Sequence, residues 1–369
     1  MLSEQLRPFF RLLSRHGRVR KVILNRPANL NALNLPIIRL IYPAMQAHLS
    51  WTCLQSYLEE DVGLVLLKSS SDKAFCAGGD VKSVVLRMMS GERNFCRRYL
   101  SEEYRLDHLI GNFPIPFVSF IHGITMGGGA GISVNGGLRV ATEKTLFAMP
   151  EVAIGFFPDV GGGHFLSRLK GNLGVYLGLT GRQLQGSDVY HAGLATHFIH
   201  SKLLPELEAK LCEAVNASSR DMVLPLLNEY QRKSGLLPPF SLQSQLGRID
   251  DIFAADSVEE IWKALEADAS PWARQTLQEM LPMSPTALKV TQKQLRRGRG
   301  LSLSEVLRME YRLGVRLMLA GEDFFRGVKA VLIDKTGQRN WQPGRLEEVD
   351  DEKIDRLFEP LPEGEELML

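Results

Sequence analysis

Short apolar segments alternate with longer segments of helical periodicity in the first two hundred residues of the chain. Apolar runs rich in β-branched residues predict strands at 19–24, 62–68, 116–121, 138–141 and 145–149. Apolar residues at helical spacing predict one helix over 35–58 and further helices within 81–111. Strands that alternate with helices in this way are typical of an α/β fold.

The pattern changes near residue 200, where strand signals fade and amphipathic helical stretches take over. The clearest of these stretches cover 203–215, 285–295 and 302–319. The acidic tail over 347–366 predicts a solvated helix followed by a frayed end. We therefore predict two regions, a catalytic core over residues 1–220 and a mainly helical C-terminal region over residues 221–369 that packs on the core.

The N-terminal segment is rich in arginine, which is a property of mitochondrial presequences. The apolar residues at 10–13 and 19–24, on either side of the polar segment Ser14–Gly17, instead predict two strands joined by a turn. On that interpretation a cleavable presequence has almost no room.

Composition and charge narrow the class of protein. The 369 residues are 44% hydrophobic and 23% charged, which is typical of a soluble globular protein. The net charge of +2 is too small to indicate nucleic-acid binding by itself. The four cysteines lack the spacing of a disulfide framework or a zinc site, so we expect no metal. No apolar run approaches the roughly 20 residues that span a bilayer, so we expect no membrane insertion.

Two glycine-rich loops suggest catalytic chemistry. The segments Lys73–Asp80 and His122–Gly131 each follow a buried strand and precede helical sequence, so each can present a backbone N–H at a helix start. Two converging N–H donors form an oxyanion hole, and two acids, Glu151 and Asp159, follow downstream. Taken alone, the glycines have commoner roles in turns, and the acids have commoner roles at helix starts and turns.

Four sequence blocks resemble the crotonase superfamily and, within it, the 3-hydroxyisobutyryl-CoA hydrolase family. These are LNRPANLNALN (24–34), KAFCAGGD (73–80), HGITMGGGAG (122–131) and FAMPEVAIGFFPDVGGG (147–163). The resemblance continues through MSPTALKVT (283–291), MEYRL (309–313) and FRGVKAVLIDK (325–335), so it covers nearly the whole chain. It implies a crotonase (ClpP-like) α/β fold of repeated ββα units with a helical C-terminal region.

The resemblance also implies roles for five residues. The N–H groups of Gly79 and Gly128 form the oxyanion hole, Glu151 and Asp159 are the catalytic acids, and Glu103 binds substrate together with Gly128, Glu151 and Asp159. The implied reaction is hydrolysis of the 3-hydroxyisobutyryl-CoA thioester in valine breakdown. Glu151 either attacks the thioester carbon or activates a water, while Asp159 positions that water and transfers protons.

Two other functions stay open at this stage. An enoyl-CoA hydratase or isomerase has the same oxyanion hole, but hydratases carry a second glutamate where this chain has Gly131. A crotonase-fold component of a mitochondrial ribosome is the other alternative, because the N-terminus and residues 296–299 are rich in arginine. We interpret His122 and Cys76, which lie near the glycine loops, as structural residues.

The resemblance carries further expectations about cofactors, partners and location. No cofactor is expected, because CoA arrives as part of the acyl-CoA substrate. The family usually forms oligomers, so a homo-oligomer is expected, whereas RNA or ribosome association has no direct support. The resemblance favours the mitochondrion, with the cytosol or peroxisome as alternatives.

Overall fold

The computed structural model describes residues 13–54, 62–217 and 220–369, with side chains described for 17–46, 62–215 and 221–369. The chain is arranged in two compact units. The first unit contains the chain up to Gly79 together with Leu106–Phe147 and Leu184–Phe240. The second contains Asp80–Arg105, Ala148–Gln183 and Ser241–Leu369. The predicted division at residue 220 stays a prediction, and the units themselves interleave along the sequence.

A six-stranded sheet forms the centre of the first unit. Its strands, in spatial order, are β1 (Leu13–His16), β2 (Val19–Leu24), β3 (Leu64–Ser69), β5 (Phe117–Ile121), β7 (Leu138–Ala141) and β10 (His197–Phe198). Strand β1 pairs with β2 antiparallel, and all the other neighbouring pairs are parallel. Strands covered on both faces read as continuous apolar runs, which is why the buried strands β3 and β5 were visible in the sequence.

The N-terminal hairpin differs from the prediction. Of the predicted strand at 10–13, only Leu13 lies within the described residues. Strand β1 then continues through Ser14 to His16, so the prediction of a turn at these three residues is wrong. The turn consists of Gly17 and Arg18 only, because Gly17 adopts a positive φ of 59° and two residues then suffice to reverse the chain.

A second sheet has four short strands: β4 (Ala74–Cys76), β6 (Ile124–Met126), β8 (Leu146–Ala148) and β9 (Leu184–Gln185). In chain order each of β3, β5 and β7 is followed by one of these short strands and then by a helix or helical turn. This repetition of two strands and a helix confirms the predicted ββα units.

Sixteen α-helices lie within the described ranges. They are α1 (Leu35–Leu54), α2 (Val81–Met89), α3 (Phe95–Gly111), α4 (Gly128–Val134), α5 (Gly162–Phe165), α6 (Leu173–Thr180), α7 (Ser187–His191), α8 (Leu204–Ala217), α9 (Val223–Lys233), α10 (Leu246–Ile252), α11 (Val258–Asp268), α12 (Pro271–Met280), α13 (Pro285–Gly298), α14 (Leu303–Ala320), α15 (Glu322–Val328) and α16 (Asp351–Leu357). Across residues 13–54, 62–217 and 220–369, none of the helices is both long and apolar enough to cross a membrane.

The core of the first unit lies between the six-stranded sheet and helices α8 and α9. Val19, Leu66 and Val118 of the sheet pack with Leu211 and Leu227 of these helices, and all five side chains are buried. This packing explains the predicted amphipathic pattern over 203–215, because the apolar face of α8 covers the sheet.

Serine caps fix the starts of the long helices of the second unit. Ser284 accepts a hydrogen bond from the Ala287 N–H and begins α13, whose first residue is Pro285. Ser302 and Glu305 form a reciprocal capping box that begins α14. These two helices carry side chains that reach the acids described below.

Candidate active site

The two glycine loops of the first unit leave the same end of neighbouring strands. Strand β4 pairs with β6 in parallel, with Ala74 opposite Ile124 and Cys76 opposite Thr125. The chain then turns through Gly78, with φ 110°, and through Gly127, with φ 46°. These conformations favour glycine because L side chains rarely adopt them, and they set the direction of the next peptide N–H in each loop.

The two loops contact each other closely. A Cβ atom added to Gly78 would lie 3.8 Å from the Gly128 nitrogen, and one added to Gly129 would lie only 2.3 Å from the Cys76 carbonyl oxygen. Gly128 is the first residue of α4, where an N–H has no intrahelical acceptor. In the described part of the chain neither Gly79 nor Gly128 donates its N–H to another residue. The structure thus brings the two predicted oxyanion glycines together.

The three predicted acids belong to the second unit, and all are buried. Glu103 lies on α3 and is 2% exposed. Glu151 begins a 3₁₀ turn directly after Pro150, and Asp159 lies in the loop before α5; each is 8% exposed. Burial of three carboxyl groups in one unit costs folding free energy, so it points to function more strongly than to stability.

The hydrogen bonds of the acids differ. Tyr104 donates its hydroxyl to Asp159 Oδ2 at 2.8 Å, and Tyr99 donates to Glu103 Oε1 at 3.3 Å. Glu151 Oε2 has no hydrogen-bond partner among the described residues. A buried carboxylate oxygen without a partner is costly, and it is free to accept a proton or contact a substrate.

Burial perturbs the pKa of each acid in the same direction. Desolvation and then the charge of Asp159 raise the pKa of Glu151 and of Glu103 well above the ordinary value. Burial raises the pKa of Asp159 to about 7, although the hydrogen bond from Tyr104 lowers it. The shared dependence on Asp159 shows that the three carboxyl groups are electrostatic neighbours.

A fourth buried acid, Glu310 on α14, was not singled out by the sequence. It is 0% exposed and accepts hydrogen bonds from the backbone N–H groups of Gly161 at 2.7 Å and Gly163 at 2.8 Å. Burial raises the pKa of Glu310 to about 8, and the bonds from Gly161 and Gly163 lower it. Glu310 therefore belongs to the same cluster through the loop that carries Asp159.

The residues that the sequence left outside the candidate site have hydrogen-bond or ion-pair partners nearby. His122 Nδ1 lies 2.9 Å from Thr142 Oγ1. The Cys76 thiol is buried and donates to the Gly78 carbonyl at 3.7 Å. In the basic run, Arg296 pairs with Asp256 and Arg297 pairs with Asp355, while Arg299 donates to Asn172. Each of these residues therefore has a polar partner nearby.

Comparisons with known proteins show which family the chain belongs to. The family described as enoyl-CoA hydratase/isomerase matches residues 19–358. The chain is 48% identical to a mitochondrial 3-hydroxyisobutyryl-CoA hydrolase of Gallus gallus over 95% of this chain and 89% of that protein. It is 49% identical to the protein of the same name from Xenopus tropicalis, with the same coverage. A crystal structure of a carnitinyl-CoA dehydratase from Mycobacterium thermoresistibile superposes with a TM-score of 0.85 at 33% identity, covering 97% of this chain and 98% of that one.

The fold, the paired glycine loops and the family match define a member of the enoyl-CoA hydratase/isomerase superfamily. Within that superfamily the chain belongs to the 3-hydroxyisobutyryl-CoA hydrolase family. The predicted family and the crotonase-type fold are therefore confirmed.

Proposed function

We propose that this protein hydrolyses the thioester of 3-hydroxyisobutyryl-CoA to 3-hydroxyisobutyrate and free CoA. The observation that carries the proposal is the buried Glu151 carboxyl, which has a partnerless oxygen and the neighbouring charge of Asp159. The names of the relatives, 44–49% identical over 95% of the chain, support the same reaction and substrate.

The composition of the acid cluster favours hydrolysis over hydration. Hydration of a C=C bond in the hydratase manner uses a pair of glutamates that share the acid and base work. Gly131 occupies the position of the second glutamate, and it lies buried inside α4. The chain instead supplies Asp159, which suits a reaction in which one carboxyl acts on the acyl carbon and another assists water.

In the proposed mechanism the thioester carbonyl oxygen accepts hydrogen bonds from the N–H groups of Gly79 and Gly128. Negative charge develops on that oxygen as the carbonyl carbon becomes tetrahedral, and one such donor contributes about 3 kcal/mol of transition-state stabilisation. The departing CoA thiolate then leaves as the carbonyl re-forms. Both N–H groups are held in place by the preceding glycine turns, so no reorganisation is needed during the reaction.

Glu151 acts at the acyl carbon by one of two routes. As a nucleophile it forms an anhydride that water then cleaves, and as a general base it removes a proton from the attacking water. Asp159 holds that water in both routes, and in the anhydride route it also takes up the proton of the water. Tyr104 keeps the Asp159 carboxyl oriented. Trapping with hydroxylamine distinguishes the routes, because only an enzyme-bound anhydride yields a hydroxamate on Glu151.

The proposal also covers cofactors, cellular location and assembly. CoA enters with the substrate, so the reaction needs no separate cofactor and no metal. We propose a mitochondrial location, in accord with the names of the relatives, and a role in valine breakdown. Assembly into a homo-oligomer remains part of the proposal.

The test is release of CoA thiol from 3-hydroxyisobutyryl-CoA, followed with a thiol reagent. We expect Glu151→Gln and Asp159→Asn to lower kcat by about 10²- to 10⁴-fold, the range for loss of an acid–base group. Asp334→Asn, a change of an exposed acid, serves as the matched control and should leave kcat unchanged.

Crotonyl-CoA provides the counter-test. Loss of enone absorbance with this substrate, without thiol release from 3-hydroxyisobutyryl-CoA, would establish a hydratase instead. If the protein reacts with neither substrate, the crotonase fold has a non-catalytic role here. The assay for that role is RNA binding that weakens as the salt concentration rises.

A further inference from the structure

Glu310 holds the loop that carries Asp159 by both of its carboxyl oxygens. Oε2 accepts from the Gly161 N–H at 2.7 Å, and Oε1 accepts from the Gly163 N–H at 2.8 Å. A Cβ added to Gly163 would lie 3.1 Å from Glu310 Oε1, so glycine keeps this approach open. Because both oxygens of this completely buried carboxyl group accept backbone N–H bonds, Glu310 fixes the path of that backbone.

A second side chain fastens the other end of the same loop. Gln294 on α13 donates its Nε2 to the Pro158 carbonyl at 2.7 Å and to Glu310 Oε1 at 2.9 Å. Asp159 therefore lies between two anchored points, Pro158 on one side and Gly161 on the other.

The backbone between these anchors is strained. Val160 has a φ of 53°, in a region where a β-branched residue is an outlier, and its side chain is 1% exposed. Gly161 follows with a φ of 88°. Such conformations persist only when surrounding contacts over-determine them, and Glu310 and Gln294 supply those contacts.

The same face of α14 packs closely against α3, the helix that carries Tyr104. Gly314 follows Glu310 by about one helical turn, and a Cβ added there would lie 3.6 Å from Tyr104 Oη and 2.9 Å from a Leu100 methyl carbon. Tyr104 donates to Asp159 Oδ2 at 2.8 Å. Helix α14 thus holds the backbone next to Asp159 through Glu310 and packs, at Gly314, beside the helix that carries Tyr104.

We propose that Glu310 is a positioning residue for the hydrolase reaction, which holds the strained Pro158–Gly163 loop so that Asp159 is aimed at the attacking water. The inference rests on the proposed function and deepens it. Glu310 touches neither water nor substrate in this proposal and acts only through the loop.

Glu310→Gln is the first variant, since it preserves size but has a single acceptor oxygen. Its amide NH₂ faces one of the two glycine N–H groups, so one of the two backbone bonds is lost. We expect kcat to fall by about 100-fold, as for a misplacement of about 1 Å, with KM changed by less than about threefold. Glu310→Asp keeps two acceptor oxygens on a shorter side chain and should recover part of the lost kcat.

Hydrogen exchange gives a readout that does not depend on activity. The amides of Gly161 and Gly163 should exchange faster in Glu310→Gln than in the wild type, because their acceptor is impaired. The matched control is Glu305→Gln on the same helix, which removes an exposed capping acid. It should lower Tm without changing kcat or the exchange of the two glycine amides.

The outcomes separate the possibilities. Unchanged exchange at Gly161 and Gly163 overturns the proposal, and so does faster exchange with unchanged kcat. A wild type that releases no thiol overturns the hydrolase proposal alone, because exchange still reports whether Glu310 holds the loop.

If Glu310→Gln does not fold, Gln294→Met removes the second anchor without a change in charge. A folded Gln294→Met variant with wild-type kcat overturns the proposal, and one with reduced kcat and unchanged KM supports it.

Discussion

Replacement of Asp159 by asparagine should stabilise the fold while it removes activity, and the stabilisation should grow with pH. The pKa of Asp159 in the folded protein is about 7, against an ordinary value of 3.8. Because the folded pKa is raised, the stability contributed by the protonated group is fully present below about pH 4. It is lost as pH rises through about 7, where the buried carboxyl must ionise.

The magnitude follows from the two pKa values. Relative to a side chain that never ionises, the raised pKa of Asp159 lowers the free energy of unfolding by about 4 kcal/mol at pH 8 and by about 2 kcal/mol at pH 5, at 1.36 kcal/mol per pH unit. Asparagine has the same shape, accepts the Tyr104 hydroxyl and never ionises. With about 2.1 cal/mol/K of unfolding entropy per residue over 369 residues, about 4 kcal/mol corresponds to a rise in Tm of about 5 °C.

The assay is thermal melting of wild type and Asp159→Asn at pH 5 and pH 8, with thiol release measured on the same samples. Asp334→Asn is the control, because Asp334 is exposed and lies 3.9 Å from Lys329, and its Tm should change by about 1 °C or less. If the Tm of Asp159→Asn does not rise above that of the wild type, the argument that burial raises this pKa is refuted. A rise of the same size at pH 5 and pH 8 refutes it too.

Further predictions concern pH and the glycine loops. Below pH 7 we expect kcat/KM for thiol release to fall by about tenfold per pH unit as Asp159 becomes protonated, and a flat profile down to pH 5 would contradict this. Tyr104→Phe removes a hydrogen bond that lowers the pKa of Asp159, so the midpoint of that profile should move to higher pH; a midpoint that stays in place would show that the bond does not matter. Gly129→Ala should lower kcat by about 100-fold, because its Cβ would overlap the Cys76 carbonyl and separate the two loops, whereas Gly137→Ala, with open space around it, should be neutral in the same assay.

Much of the fold was predictable because its signals are local. Strand β7 has the predicted bounds, 138–141, and α14 and α8 match the predicted amphipathic stretches within about two residues. Four of the five candidate site residues, Gly79, Gly128, Glu151 and Asp159, lie inside contiguous blocks that resemble the family, whereas Glu103 lies outside those blocks. Their roles remain predictions until the variants are measured.

Four of the short strands, β4, β6, β9 and β10, were not predicted from the sequence. Strands β4 and β6 have three residues each, within segments that the sequence predicted to be glycine-rich loops. Three residues are too few to show a period of two, and these strands form because they pair with each other in parallel. Strands β9 and β10 have two residues each and depend in the same way on distant partners.

Glu310 shows why the rest of the site was missed. Its partner Gly161 is 149 residues away, so no local motif links them. A signal was nevertheless present, because Glu310 lies on the apolar stripe of α14, four residues after Val306 and three before Leu313, both of which are 0% exposed. A carboxylate on the buried face of a helix must find hydrogen-bond donors, and a glycine-rich loop is rich in accessible N–H groups. An acid on the buried face of a helix therefore predicts that a loop with several glycines donates N–H bonds to it, even when the two are far apart in the sequence.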